Sequence, residues 1–397
     1  MEFIIVTLVK AAVWAAAILF ALLYLQWVER KVIAHVQLRM GPSRVGPHGL
    51  LQPLADVVKL LTKEDLVPAA ADKFLYLLAP FLAVALALLP VAVFPFGPEV
   101  EIFGVRTSLQ LADLNIGVLF LLAISSLSVY SIALAGWSSN SKYSLLGGLR
   151  SGAQMISYEL PLAIAVVAPL LLANTLSLRG LAESQGGSYW GWIPHWNVFR
   201  LPAPQIVGCL VFLIAGFAET NRVPFDLPEA ENERVGGFHT EYSSLKFACF
   251  FMAEYANMIS SCAFATLLFF GAWQPLWPEA RGSWLFPTFF FALVGLVALY
   301  HGLHPARRKD RVTLPVVALA FFGIAAVFQI PFLRPILLPI FWFGLKTGFL
   351  LFTFMWVRAT LPRFRYDQLM GFAWKFLFPV AMVNLLVTGW LVAVYGE

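Results

Sequence analysis

Apolar stretches of about 20 residues recur from one end of the chain to the other, and each is long enough to cross roughly 30 Å of hydrocarbon. They fall near residues 3-27, 74-95, 115-136, 154-175, 203-218, 246-272, 285-302, 313-331, 336-357 and 375-395, the fifth being short. A water-soluble core has no use for so many. Only 12% of the 397 residues are Asp, Glu, Lys or Arg, while 60% are hydrophobic. That is about half the charged fraction a soluble domain spreads over its surface. The strict alternation of a membrane β-barrel is missing. The expected fold is an all-α polytopic membrane protein of about ten transmembrane helices, forming a single transmembrane domain over 1-397. The opening segment, Met1 to Gln26, has no basic leader or obvious cleavage site and is expected to be a retained first span.

The net charge of +5 does not point to a nucleic-acid partner, because the basic residues are scattered between spans and form no stripe. They follow topology instead. With the N-terminus outside, 20 of the 27 lysines and arginines fall in the inner connections, as positive-inside orientation demands. Both termini are therefore expected on the periplasmic side. Cys209, Cys249 and Cys262 are widely spaced and form no CxxC pair, so no metal site or iron–sulfur cluster is expected within this chain.

The inner connections 28-73 and 219-245 are long and polar, and function is expected there. In the first, Leu50, Leu51, Leu54, Val57, Val58 and Leu61 recur at helical spacing. This predicts an amphipathic helix, lying in the membrane interface or covering the bundle end. The segment ahead of it carries Glu29, Arg30, Lys31, Gln37, Arg39 and Arg44 before two Gly-Pro turns. Such residues suit a site for a lipid-like molecule with a polar head, or an anchor that only fixes topology. The second connection holds Glu219, Asp226, Glu229, Glu231, Glu233 and Glu241, which read either as a hydrated acidic path or as a capped helix within a solvated loop. Glu159 and Glu254 lie inside apolar spans, where an ionisable group is costly and usually has a task such as carrying protons; a protonated packing residue is the alternative. Lys10 is placed to snorkel outward, and Lys346 reads as a counter-charge or a packing residue.

These two connections, with SKYSLLGGLRSGAQMISYELP at 141-161, FFMAEYANM at 250-258 and RATLPRFRYDQLMGFAWK at 358-375, resemble the H-subunit family of proton-translocating NADH-quinone oxidoreductase, respiratory complex I. The resemblance covers roughly residues 3-272 and 336-395. It implies a membrane subunit at the junction with the peripheral arm, forming most of a quinone-access chamber and the start of an acidic proton path. Chamber positions carry over to Glu29, Arg30, Arg39, Phe251, Met252, Tyr255 and Arg358. The acidic funnel carries over to Glu159, Glu219, Asp226, Glu229, Glu231, Glu241 and Glu254. Quinone is then a substrate, with no flavin or iron–sulfur cluster in this chain. Partners would be other membrane-arm subunits, the quinone-site and terminal-cluster subunits of the peripheral arm, and lipid, in a bacterial inner membrane. The homologous ion-translocating component of a membrane-bound hydrogenase and a secondary transporter are the rival readings, which copurifying subunits would separate.

Two departures stand out. Residues 274-335 interrupt the family pattern with two extra spans, adding to a core of eight, and Arg234 replaces an apolar residue. An even number of added crossings preserves the downstream orientation and puts the basic turn HPARRKDR, 304-311, inside. The two added spans carry no Asp, Glu, Lys or Arg, so they are expected at the lipid-facing edge.

Overall fold

The computed structural model describes residues 2-102, 105-226, 237-278, 282-304 and 310-395. Among them, nine helices are long and apolar enough to cross a membrane, and a tenth, Ile206–Glu219, is shorter. The all-α polytopic class follows directly. Helix α1, Glu2–Val36, runs past the expected end at 27, because Glu29, Arg30 and Lys31 are good helix formers and no breaker comes before Gly41-Pro42. The polar end of α1 is therefore rigid helix, which fixes the direction of each of its side chains.

A turn at Pro47–Gly49 leads into α2, Gln52–Thr62. Leu54, Val58 and Leu61 of α2 are exposed, while Pro53 is buried against the bundle. Helix α3, Lys73–Leu88, starts at Asp72, whose carboxylate accepts from the backbone N–H of Phe74 and Leu75 at 3.1 and 3.3 Å. A short antiparallel hairpin follows, β1 (Glu99–Ile102) and β2 (Val105–Ser108), in which Glu101 faces Arg106. Lys10 reaches it from α1, donating to Thr107 Oγ1 at 2.8 Å and Ser108 O at 2.9 Å.

The core is built from α3, α4 (Gly117–Ser138), α5 (Lys142–Ala173), α7 (Ile206–Glu219) and α8 (Ser244–Phe269). Between α5 and α7 lies the small helix α6, Leu178–Glu183. Helices α4 and α5 approach closely because a Cβ on Gly136 would sit 2.7 Å from Ser144 O. Helix α5 begins at Lys142, well before the expected 154, so its first turns are polar and reach beyond the hydrocarbon. The fourteen residues of α7 span only about 21 Å. Its last residue, Glu219, is consequently held within the bundle.

The hairpin expected as an insertion is α9 (Phe286–Leu303) and α10 (Asp310–Val327). The two pack on each other, Gly295 against the Phe322 ring and Gly302 against Pro315. They lean on α11, Arg334–Thr360, through Phe286 stacked 5.3 Å from Trp342 and Phe291 set 5.7 Å from Phe341. Phe289, Leu293, Leu296, Val312, Val316 and Leu319 are exposed and give the hairpin an apolar outer edge. His48 Nε2 lies 3.3 Å from Asp310 Oδ1, so the hairpin's turn end meets the first long connection. Arg307, Arg308 and Lys309 of the basic turn lie outside the described residues. The chain closes with α12 (Tyr366–Phe372) and α13 (Phe378–Tyr395), joined by a π-helical turn.

Lys346 is buried and, among the described residues, has no acid beside it. Its ammonium donates to the carbonyls of Phe270, Ala272 and Gln274 at 2.6, 2.9 and 2.6 Å, and it lies 4.2 Å from the Trp196 ring centroid. Carbonyls at and beyond the end of α8 gain a donor that the helix itself does not supply.

Candidate functional site

The site begins where α1, α8 and α11 converge with the segment just after α7. Glu29 and Arg30 are neighbours on α1 and point about 100° apart. Glu29 is turned inward and is 2% exposed. Arg222, just beyond α7, donates through Nη1 to Glu29 Oε1 at 2.9 Å, and its Nε lies 2.6 Å from Glu254 Oε1 on α8. Arg358, near the end of α11, donates to the same Glu29 oxygen. The Arg222 guanidinium lies 4.3 Å from the Tyr255 ring centroid. Two cations thus answer two anions in a nearly dry place, where any one of them alone would be costly. Burial works against the charge on Arg222, but Glu254 and Glu29 outweigh it and raise the pKa above the ordinary arginine value.

On one side of this cluster lies a cavity of about 720 Å³ between α1, α2 and α8. Leu19, Phe20, Leu23, Leu60, Phe247, Phe251 and Met252 give it apolar walls, and Gln26, Arg30, Asp56, Lys59 and Tyr255 give it polar points. Arg30 and Asp56 are paired at 2.7 Å, and Gln52 also donates to Asp56 at 3.0 Å. Tyr255 is both a wall of the cavity and the ring beneath Arg222. Tyr255 is thus shared by the large cavity and the charge cluster.

On the other side two small cavities of about 60 Å³ each follow in series. Glu254, His239 and Phe251 line the first, Ser125 and Ser260 the second, and both touch Glu219, Thr220 and Asn257. Each is polar enough and large enough for water. In the wall of these cavities Ser125 donates to Glu219 on α7, and the adjacent Ser126 donates to Glu159 on α5. Adjacent residues on α4 diverge by about 100°, which lets this serine pair reach two different helices.

The expected residues divide accordingly. Glu29, Arg358, Glu254 and Tyr255 meet in the cluster, and Arg30, Phe251, Met252 and Tyr255 line the large cavity. Glu219 and Glu159 meet through the serines. Arg39 stands apart, exposed and bound to Gln37 at 2.8 Å. Asp226 is buried but paired with Arg363 at 3.0 Å, outside the cavities. Glu241 lies outside the cluster and the cavities, and its backbone carbonyl accepts from the Tyr76 hydroxyl at 2.7 Å. Glu229 and Glu231, with Glu233 and Arg234, lie outside the described residues.

Sequence reasoning alone does not single out four of the contributors. Arg222 reads as one more inner-face charge, although it follows Glu219 by three positions. Ser125 and Ser126 read as ordinary small residues of a span, and their adjacency is the available signal. His239 gives none. Its ring stacks 5.3 Å from Phe247, and burial, opposed by nearby Asp226, pushes its pKa down to about 4. The imidazole is therefore neutral at pH 7 and faces the first small cavity uncharged.

An amphipathic chamber beside a buried charge cluster, inside a polytopic helical bundle, places the chain in the class of integral membrane proteins that carry paired ionisable groups through a helical core. A family model described as NADH dehydrogenase matches residues 9-389. The chain is 64% identical over 392 residues to the NADH-quinone oxidoreductase H subunit numbered 1 of Solibacter usitatus, covering 99% of this chain and 98% of that one. It is 45% identical to the H subunit numbered 2 of Koribacter versatilis, covering 98% of each, and 44% identical to the H subunit of Protochlamydia amoebophila, covering 94% and 93%. The chain belongs to the H-subunit family of NADH-quinone oxidoreductase, a membrane component of respiratory complex I.

Proposed function

We propose that this subunit forms the quinone-access chamber at the junction with the peripheral arm and couples quinone reduction to proton translocation. The chain itself carries no electrons in this reading. A cluster in a partner supplies two electrons, and two protons complete the quinol. The apolar walls around Phe251 and Met252 suit an isoprenoid-bearing ring, and Tyr255 and Arg30 supply polar contacts for its oxygens.

The observation that carries the proposal is the double position of Tyr255, a wall of the chamber and a stacking partner of Arg222. A change of charge in the chamber acts across one ring on Arg222, which is shared between Glu29 and Glu254. Shifting Arg222 toward Glu29 frees the Glu254 carboxylate to take a proton; shifting it back favours release into the small cavity beyond. Glu219, Ser125, Ser126 and Glu159 continue the route as acceptors and donors within hydrogen-bond reach of one another or of cavity water. The cytoplasmic face holds these elements, with both termini periplasmic in an inner membrane, and the peripheral arm docks over the first connection.

Met252→Trp tests the chamber by filling it. The assembled enzyme should lose at least tenfold in NADH:quinone activity, about 1.4 kcal/mol of transition-state stabilisation, while NADH oxidation by a hydrophilic artificial acceptor stays near wild type. Unchanged quinone turnover in the assembled variant would remove the chamber assignment.

A further inference from the structure

A second large cavity, remote from the charge cluster, lies at the other end of the bundle, in the seam between the inserted hairpin and the core. Arg334 and Arg358 occupy opposite ends of one continuous helix, about 36 Å apart along its axis. Arg358 touches Glu29, so Arg334 stands a full hydrocarbon thickness away, at the opposite membrane boundary. The seam encloses about 620 Å³. Trp273, Trp284, Trp342, Leu338, Arg334 and Glu99 are among the residues lining it. Of these, the insertion brings Trp284 and Arg334, and the core brings the rest.

We propose that this seam binds the phosphate-bearing head group of an anionic phospholipid, with Arg334 as its counter-charge. The Arg334 guanidinium lies 4.3 Å from the Trp284 ring centroid, and its Nε and Nη2 donate to the carbonyls of Phe328 and Gln329 at 3.3 and 3.1 Å. Those acceptors fix the plane of the fork without neutralising it, and among the described residues no carboxylate pairs with it. Glu99, the acid on the wall, is engaged by Arg179 at 2.7 Å, and Arg106 on the same hairpin faces Glu101. The Arg334 fork is therefore the group that favours an anion here. A lipid suits the site better than a soluble anion because the tryptophans lie at interfacial depth. Leu338 and Trp342 also continue the wall along α11 toward the hydrocarbon. The extra helices thereby gain a role that is independent of the quinone reading.

The test uses the assembled complex purified in detergent, stripped of loosely held lipid and offered labelled phosphatidylglycerol. Wild type should retain label that resists washing. Arg334→Gln should retain at least fivefold less, and so should Leu338→Trp, which fills the cavity and leaves the arginine in place. Excess inorganic phosphate should compete poorly. Wild-type retention in either variant overturns the proposal, and so does phosphate that binds the lipid-stripped complex and displaces the label, because that would mark the site as one for a free ion.

Discussion

Arg222 concentrates the energetics of the site in one residue. It is 4% exposed and holds two carboxylates from different helices, so removing it strands negative charge in a dry place. Arg222→Met should cost about 3–5 kcal/mol, the usual penalty for breaking a buried pair, and should lower the amount of assembled complex. Glu254→Gln keeps the shape, leaves Arg222 with Glu29, and should assemble normally while losing proton pumping coupled to quinone reduction. The double variant should recover assembly relative to Arg222→Met alone, read as intact complex on a native gel. Equal assembly defects in both single variants would place Glu254 in the framework and not in the proton route. Glu254 is legible in the sequence because an acid within an apolar span stands out. Arg222 is not, because its meaning comes from α1, α8 and α11 converging on it, and long-range convergence leaves no local pattern in the chain.

At the scale of elements, periodicity locates the helices well and their ends less well. α1 and α5 both extend through polar residues that hydropathy treats as loop, since helix propensity continues after apolarity stops. That difference matters for the site: Glu29 is positioned by a rigid helix end. The polar start of α5 has its own task. A Cβ on Gly147 would lie 2.9 Å from the backbone of Gly237 and Phe238, with no flexible side chain there to give way. Gly147→Val must therefore displace the segment that carries His239 into the first small cavity. Overpacking of this kind costs about 1–3 kcal/mol, and quinone-coupled activity should fall roughly tenfold with the artificial-acceptor reaction preserved. Gly344→Ala is the matching control, since nothing lies within 4 Å of its added carbon. Similar losses in both variants would mean that helix glycines matter generally and that this contact does not.

Over the whole molecule, the charge asymmetry of the connections gives an orientation, and the contact of His48 with Asp310 ties the inserted turn to the first long connection. Asp310→Cys, in a background with Cys249 replaced, should react with an impermeant thiol reagent only from the cytoplasmic side; Cys209 and Cys262 are buried. Reaction only from the periplasmic side would overturn the ten-crossing topology. The sequence marks out the two helices of this hairpin, but not what they rest on, because the aromatic contacts with Phe341 and Trp342 join segments with no shared periodicity. Lys346 bears on how such an addition is tolerated. The chain departs from the core just after Phe270 and returns along α11, and a single ammonium rooted in α11 grips the departing segment by three carbonyls. The exit and the return are riveted together before the excursion begins. Everything hung beyond that rivet can shift without disturbing the charge cluster around Glu29 at the far end of α11.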